Sequence, residues 1–93
     1  MIIQHQQNET KGLFFIELDH KNIAEMTYVM AGTDKMIIDH TEVSPTLSGK
    51  GIGKQLVKEA VNFARQQKIK IMPLCPFAKA IFEKELDYQD VLF

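Results

Sequence analysis

The sequence predicts a mixed α/β domain: a mostly antiparallel sheet with one β-α-β crossover and helices packed on it. Three observations predict it. Up to Val43, short apolar segments are separated by turns rich in Gly, Asn and Asp, the pattern of an antiparallel meander. From Ile52 onward, Ile52, Leu56, Ala60, Phe63 and Ala64 recur at three- and four-residue spacing, which is one apolar stripe of a helix. A short strand and a second helical segment follow, and a strand–helix–strand unit over 36–72 calls for a right-handed parallel crossover.

Taken in order, residues 2–5 (Ile-Ile-Gln-His) read as a short edge strand, and 8–12 (Asn-Glu-Thr-Lys-Gly) as a turn. Residues 13–18 form a strongly apolar strand, and 19–22 (Asp-His-Lys-Asn) turn the chain again. In 23–30 the residues alternate, so Ala24, Met26, Tyr28 and Met30 share one face. Residues 31–34 (Ala-Gly-Thr-Asp) turn into a fourth strand, 36–43. The helix beginning near Ile52 keeps Lys54, Lys58, Asn62 and Arg65 largely off its apolar stripe. Residues 68–72 are a short strand, ended by Pro73. Cys75-Pro76 opens a second helix reaching about Glu85, because proline suits a first helical turn, where its missing N–H would be unpaired anyway.

The 93 residues make a single domain, 1–93, large enough for one core. Hydrophobic residues are 45% and charged residues 25% of the chain, a globular balance rather than a disordered one. One Cys excludes an internal disulfide and a Cys-rich zinc site. No apolar run approaches the ~18–20 residues of a membrane span, and the opening Met1-Ile-Ile-Gln-His is too short and polar for a signal-peptide core. The expectation is a cytoplasmic protein without membrane contact.

Net charge is -1, but it is unevenly placed. Residues 1–47 hold three Lys against seven acids, whereas 48–70 hold Lys50, Lys54, Lys58, Arg65, Lys68 and Lys70 against Glu59 alone. Such a segment is either a solvated helix face or an attraction for an anion. Nucleic acid is a poor fit, since the chain is slightly acidic overall and the basic segment lacks interleaved aromatics. The histidines and lone Cys offer no metal set.

Gly49-Lys50-Gly51-Ile52-Gly53 lies between a strand and a helix. Three glycines in five residues cost conformational entropy and leave backbone N–H groups approachable. The helix behind them adds four unpaired N–H groups and the positive end of its dipole. Together with Lys50 and Lys54 this suits phosphate; the alternative is a turn that uses glycine only for geometry. A Walker A loop is excluded, because Gly53-Lys54-Gln55 lacks the Ser or Thr after Lys. A dinucleotide fingerprint is excluded by the missing third glycine and the antiparallel pattern.

With these residues in place the chain resembles the GNAT superfamily of acetyl-CoA-dependent N-acetyltransferases. Ser48-Gly49-Lys50-Gly51-Ile52-Gly53 aligns with the family's central Arg/Gln-x-x-Gly-x-Gly/Ala motif. Val43-Ser44-Pro45 matches its strand-ending Val-x-Pro, Ile52, Leu56 and Val57 match its helix core, and Ala80-Ile81-Phe82-Glu83-Lys84 resembles its late helix. His40-Thr41-Glu42-Val43 and Cys75-Pro76-Phe77 are similar to the His-Thr-x-Val and Cys-Pro motifs of a very small GNAT-like subgroup. The resemblance implies a GNAT-like fold and acetyl-CoA as co-substrate. It implies that backbone N–H groups over 49–54 hold the pyrophosphate, that backbone near Val43 pairs with the pantetheine arm, and that the thioester lies where the fourth and fifth strands splay, near Cys75. The cofactor-binding set so implied is Val43, Leu47, Ser48, Gly49, Lys50, Gly51, Ile52, Gly53, Lys54 and Phe82. Three departures stand out. Ser48 replaces the usual Arg or Gln, Phe82 replaces a Tyr that donates a proton to the leaving thiolate, and the family's first two helices are missing from the stretch before the meander.

Acetyl transfer to an amine needs a base and an acid. His40 and Glu42 are two apart on one strand and project to one face. His40 is the candidate base, against the reading of a structural histidine, with Glu42 a surface acid. Cys75 precedes a helix, which favours thiolate. It is a candidate acetyl acceptor or proton donor, against the reading of a small buried residue. Tyr88 is a weaker candidate acid. His5 and His20 read as exposed polar residues, Tyr28 as packing, and Met26, Met30, Met36 and Met72 as core filler. The expected function is acetyl transfer from acetyl-CoA to an unidentified amine. The competing reading is a non-catalytic acyl-CoA-binding module, a sensor or partner subunit. The incomplete acceptor wall makes a homodimer or a partner protein plausible.

Overall fold

The computed structural model describes residues 2–93. Five strands form one sheet in the order β1 (Gln4–Gln7), β2 (Lys11–Leu18), β3 (Lys21–Ala31), β4 (Lys35–Val43), β5 (Lys70–Pro73). The first four are antiparallel and the β4–β5 pair is parallel. Helix α1 (Ile52–Gln67) makes the crossover, α2 (Pro76–Lys84) follows β5, and a 3-10 segment, Leu86–Val91, closes the chain. The expected class and element order are present. The edge strand is shifted two residues toward the C-terminus, because its register is set by pairing His5 with Phe14.

The turn between β2 and β3 is tighter than its composition suggests. Only Asp19 and His20 turn, both in the left-handed region at φ 52° and 65°. Two consecutive left-handed residues match the twist of a two-residue hairpin, and Asp tolerates the conformation better than most residues. Lys21 and Asn22 therefore join β3 rather than the loop.

Burial follows the alternation. Phe14, Ile16, Ala24, Met26, Tyr28, Met36 and Ile38 face one side and form a single core with Leu56, Val57, Ala60, Val61 and Ala64 of α1 and Ala78, Ile81 and Phe82 of α2. Both helices thus lie on one face of the sheet, and the principal extents, 34 × 30 × 20 Å, are those of two layers. Lys68 ends α1 in the left-handed conformation at φ 57°, the usual helix stop made here without glycine.

Within that core Tyr28 is 1% exposed, and its ring fills the space a side chain at Gly12 would need. The prediction is that Gly12→Ala destabilises the fold by about 1–3 kcal/mol through overpacking, measured by urea denaturation with an unchanged slope.

His5 is exposed, as expected, and has a structural role as well. Its ring stacks on Phe14 at 4.1 Å and meets Phe63 edge-on at 4.5 Å. Its Nε2 lies 2.6 Å from the Tyr28 hydroxyl, which donates to Gln7 Oε1. Burial pushes the His5 pKa down, so the fold favours neutral imidazole. Its contribution is intact above the ordinary imidazole pKa of about 6.5 and is lost as pH falls toward the lowered folded value. Stability of wild type should therefore decline on acidification through that window more than stability of His5→Gln, read as Tm against pH.

Candidate active site

Strands β4 and β5 pair only from Lys35–Lys70 to Ile38–Pro73. Beyond that point the carbonyl of Ile38 accepts from the N–H groups of both Leu74 and Cys75, each at 3.0 Å, and the chain leaves the sheet for α2. Strand β4 continues to Val43, paired only with β3. Its other edge over residues 39–43 is left without a strand partner. A bulge sharpens the divergence. Tyr28 pairs with Ile38 and Thr27 with His40, so Asp39 is the extra residue, and an inserted residue bends and twists a strand. The Thr27 hydroxyl donates to Asp39 Oδ1 at 2.6 Å and fixes it.

The bulge also decides which side chains meet. Thr41 lies opposite Met26 and therefore on the helix face, whereas His40 and Glu42 lie opposite Thr27 and Glu25 on the other face. His40 Nε2 is 3.4 Å from Glu42 Oε2, with side chains 61% and 73% exposed. Cys75 is on the helix face, 5% exposed, with Sγ 3.3 Å from Thr41 Oγ1. The two candidate catalytic residues thus flank β4 from opposite faces rather than touching one another. Thr41 is the residue that sequence reasoning missed. The signal for it is the change of parity in β4, where Met36 and Ile38 point inward before Asp39 and Val43 points inward after it.

Cys75 is the N-cap of α2, with Pro76 at the first helical position. Burial pushes its thiol pKa up, the hydrogen bond it makes to Thr41 and the nearby backbone N–H groups of Phe77 and Ala78 push it down, and the net direction is down. The thiolate is the nucleophilic form of cysteine, and the lowered pKa favours that form.

After Val43 the chain runs through a 3-10 turn, Pro45–Leu47, into the glycine loop. Gly49 and Gly51 are left-handed at φ 79° and 69°, and a side chain at either would point into open space. Gly53 serves close packing instead, because the Phe77 ring of α2 occupies the position of its absent side chain. Gly51 caps α1 without a side-chain hydrogen bond, and no acid lies in the first turn. The first helical bond runs from Gln55 N–H to the Gly51 carbonyl at 3.1 Å. The N–H groups of Ile52, Gly53 and Lys54 precede it, at the positive end of a 16-residue helix. Leu47 and Ile52 are buried, and Ser48, Lys50 and Lys54 are exposed. Phe82 is 2% exposed and packs edge-on against Tyr88 at 5.8 Å, so its place is in the core.

The basic segment divides into two. Arg65 donates from Nε and Nη2 to the Asp90 carboxylate at 2.9 Å, and Lys70 Nζ donates to the Asp90 carbonyl. These residues tie down the C-terminal 3-10 segment. Helix α1 is about 24 Å long, well over two Debye lengths at physiological salt, so they add little field at the loop. Lys50, Lys54 and Lys58 are the charges that act there. Among the described residues, no group of three His, Cys, Asp or Glu is arranged to hold a metal, and no helix is long and apolar enough to cross a membrane.

This geometry can be set beside known proteins. Residues 13–91 match the family model described as GCN5-related N-acetyl-transferase. The chain belongs to the GCN5-related N-acetyltransferase family. The fold comparison agrees. A GCN5-like protein of Staphylococcus aureus, solved by NMR, is 40% identical, with a TM-score of 0.74 over 97% of this chain and 87% of that one. A ribosomal-protein-alanine N-acetyltransferase from Brucella melitensis biovar Abortus is 17% identical, TM-score 0.68, over 83% of this chain and 62% of that one. A GNAT family acetyltransferase from Elizabethkingia anophelis, with acetyl-CoA bound, is 18% identical, TM-score 0.59, over 69% and 42%. The latter two show a shared fold, and this chain spans less than two thirds of each. The comparison with curated proteins gave no match. This member of the GCN5-related N-acetyltransferase family has a five-stranded mixed sheet with a β4–α1–β5 crossover.

Proposed function

We propose that this protein transfers the acetyl group of acetyl-CoA to an amine, by way of Cys75. The observation that carries the reading is the continuity of three features: an uncapped helix N-terminus behind a glycine loop, an unpaired β4 edge before it, and the Cys75 thiol beside that edge. The first suits a pyrophosphate, held by the N–H groups at the start of α1, Ile52 to Lys54, with the Lys50 and Lys54 side chains adjacent. The second offers backbone groups over 39–43 to an amide-bearing arm, as in strand addition. The third supplies a nucleophile.

The chemistry follows from these placements. The Cys75 thiolate attacks the thioester carbon, the carbon–sulfur bond to CoA breaks, and CoA leaves as a thiolate that takes up a proton. An acceptor amine then attacks the Cys75 thioester. A nitrogen–carbon bond forms, the Cys75 thiolate is regenerated, and the proton from the amine passes to a base. His40, paired with Glu42 at 3.4 Å, is the proposed base; it lies across β4 from Cys75, so the proton reaches it through water. Phe82 offers no proton, and no step uses it. The cytoplasm is the setting we propose, since it keeps a lone reactive thiol reduced.

The test is an amide NMR titration of labelled protein with acetyl-CoA, and with CoA as control, followed by assay of CoA release over a panel of amines. Shifts at residues 47–54, Val43 and Cys75 with CoA release are expected. No shift at millimolar ligand would overturn the reading, and shifts without release to any amine would favour an acyl-CoA-binding module.

A further inference from the structure

Gly53 and Phe77 form a pair that packing alone does not explain. Gly53 is buried in the first turn of α1 and helical, unlike the left-handed Gly49 and Gly51, so no turn requires glycine there. Glycine inside a helix is unfavourable against alanine. What requires it is the Phe77 ring, which occupies the space of the missing side chain. Yet that ring belongs to a residue 42% exposed. The fold gives up a helix former at 53 and still leaves much of an aromatic side chain in water, where its burial would be favourable. Alanine at 53 with a smaller residue at 77 would avoid both costs.

The place of the ring gives the reason. Phe77 stands in the first turn of α2, two residues on from Cys75. Its ring lies on the first turn of α1, where the N–H groups of Ile52 to Lys54 precede the first helical bond. One side chain thus joins the turn that bears the thiol to the turn that suits a pyrophosphate. We propose that the exposed part of the Phe77 ring binds the apolar segment of the pantetheine arm of CoA, the carbon that carries two methyl groups. The order of groups in the ligand matches the order of features in the protein. In CoA the pyrophosphate is followed by the dimethyl carbon, then by two amides, then by the sulfur. The protein offers the start of α1, the Phe77 ring touching it, the unpaired β4 edge over 39–43, and Cys75, whose Sγ is 3.3 Å from Thr41 Oγ1 on that edge. A free phosphate or a bare nucleotide has no apolar segment to lay on the ring, so the contact selects for the arm. The inference rests on the acetyl-CoA site proposed above, and not on transfer through Cys75.

The test is calorimetric titration with CoA and with its nucleotide half, which ends at the pyrophosphate and lacks the arm. Phe77→Ala should weaken CoA binding about ten-fold, the loss expected for a partly buried apolar contact, and leave the nucleotide half nearly unaffected. Phe77→Leu should recover most of the loss. Gly53→Ala with Phe77→Ala fills the vacated space with a methyl group, so it serves if Phe77→Ala alone loosens α2 against α1, and it should bind CoA as weakly as Phe77→Ala does. Unchanged CoA affinity in Phe77→Ala would overturn the inference. So would equal losses for CoA and the nucleotide half, which would mean that the ring only shapes the start of α1, or recovery of CoA binding in the double variant, which would mean that it only packs. A wild type that binds neither ligand would overturn the acetyl-CoA site itself, an outcome distinct from these three.

Discussion

Cys75→Ala should lower acetyl transfer at least about 100-fold, or ~2.7 kcal/mol in barrier, while acetyl-CoA affinity stays within a few-fold. The two effects separate because the proposed mechanism assigns the nucleophile to Cys75 and the binding to the glycine loop. Ala fits the small site at the N-terminus of α2 without a clash, and the hydrogen bond lost is the one to Thr41 at 3.3 Å. The companion observation is an acetyl group on Cys75 of the wild type, trapped by acid quench and read by peptide mass. A wild-type turnover retained in Cys75→Ala would remove the thiol from the mechanism and leave direct attack on the CoA thioester. The same site has a pH signature. Its thiol pKa is lowered, so alkylation of Cys75 should rise with pH through a midpoint below that of a free cysteine thiol measured in the same buffer. Thr41→Val removes a donor to the thiolate and should move that midpoint upward.

Gly51→Asp should weaken acetyl-CoA binding about 100-fold or more, again near 2.7 kcal/mol, with little change in Tm. A side chain at Gly51 enters open space, so nothing in the fold is displaced. The cost is the left-handed backbone, φ 69°, which Asp tolerates better than most residues, and a carboxylate at a helix N-terminus offsets part of it. For a phosphate the same carboxylate is a like charge in the cradle, against the same N–H groups. Gly51→Ala adds the strain without the charge and should lose far less affinity. Calorimetric titration of both variants decides it: equal losses would mean that backbone geometry, not anion recognition, is what Gly51 provides.

Much of this was legible in the sequence because its signals are local. The turn signals of residues 8–12 and 31–34 locate two hairpins, though Lys11, Gly12 and Ala31 belong to the strands rather than the turns; the alternation between them gives the buried face outright, and the change from two-residue to helical period at Ile52 locates the crossover. The glycine loop stands out because three glycines in five residues have so few uses. What was not legible depends on register. That His40 and Glu42 share a face follows from their spacing, but that Cys75 meets Thr41 instead depends on the Asp39 bulge, whose one trace in the sequence is the change of parity along β4. The role of His5 depends on pairing across β1 and β2, which brings together residues 23 positions apart at the Tyr28 hydroxyl. The basic segment misled in part for the same reason: Arg65 and Lys70 are neighbours of the loop in sequence and committed to Asp90 in space.

The order of strands in the sheet is the order of strands in the chain, and this bears on how the molecule assembles. Each of the first four strands finds its partner across a short turn, so each closure fixes few residues and costs little loop entropy. The meander can grow hairpin by hairpin as the chain emerges during synthesis. Only β5 must wait, because its partner β4 lies across the whole of α1. Topology of this kind favours fast collapse of the first half and a slower final docking. The step that docks α1 and β5 is also the step that forms the splay beside Cys75, so that cleft is expected to form last.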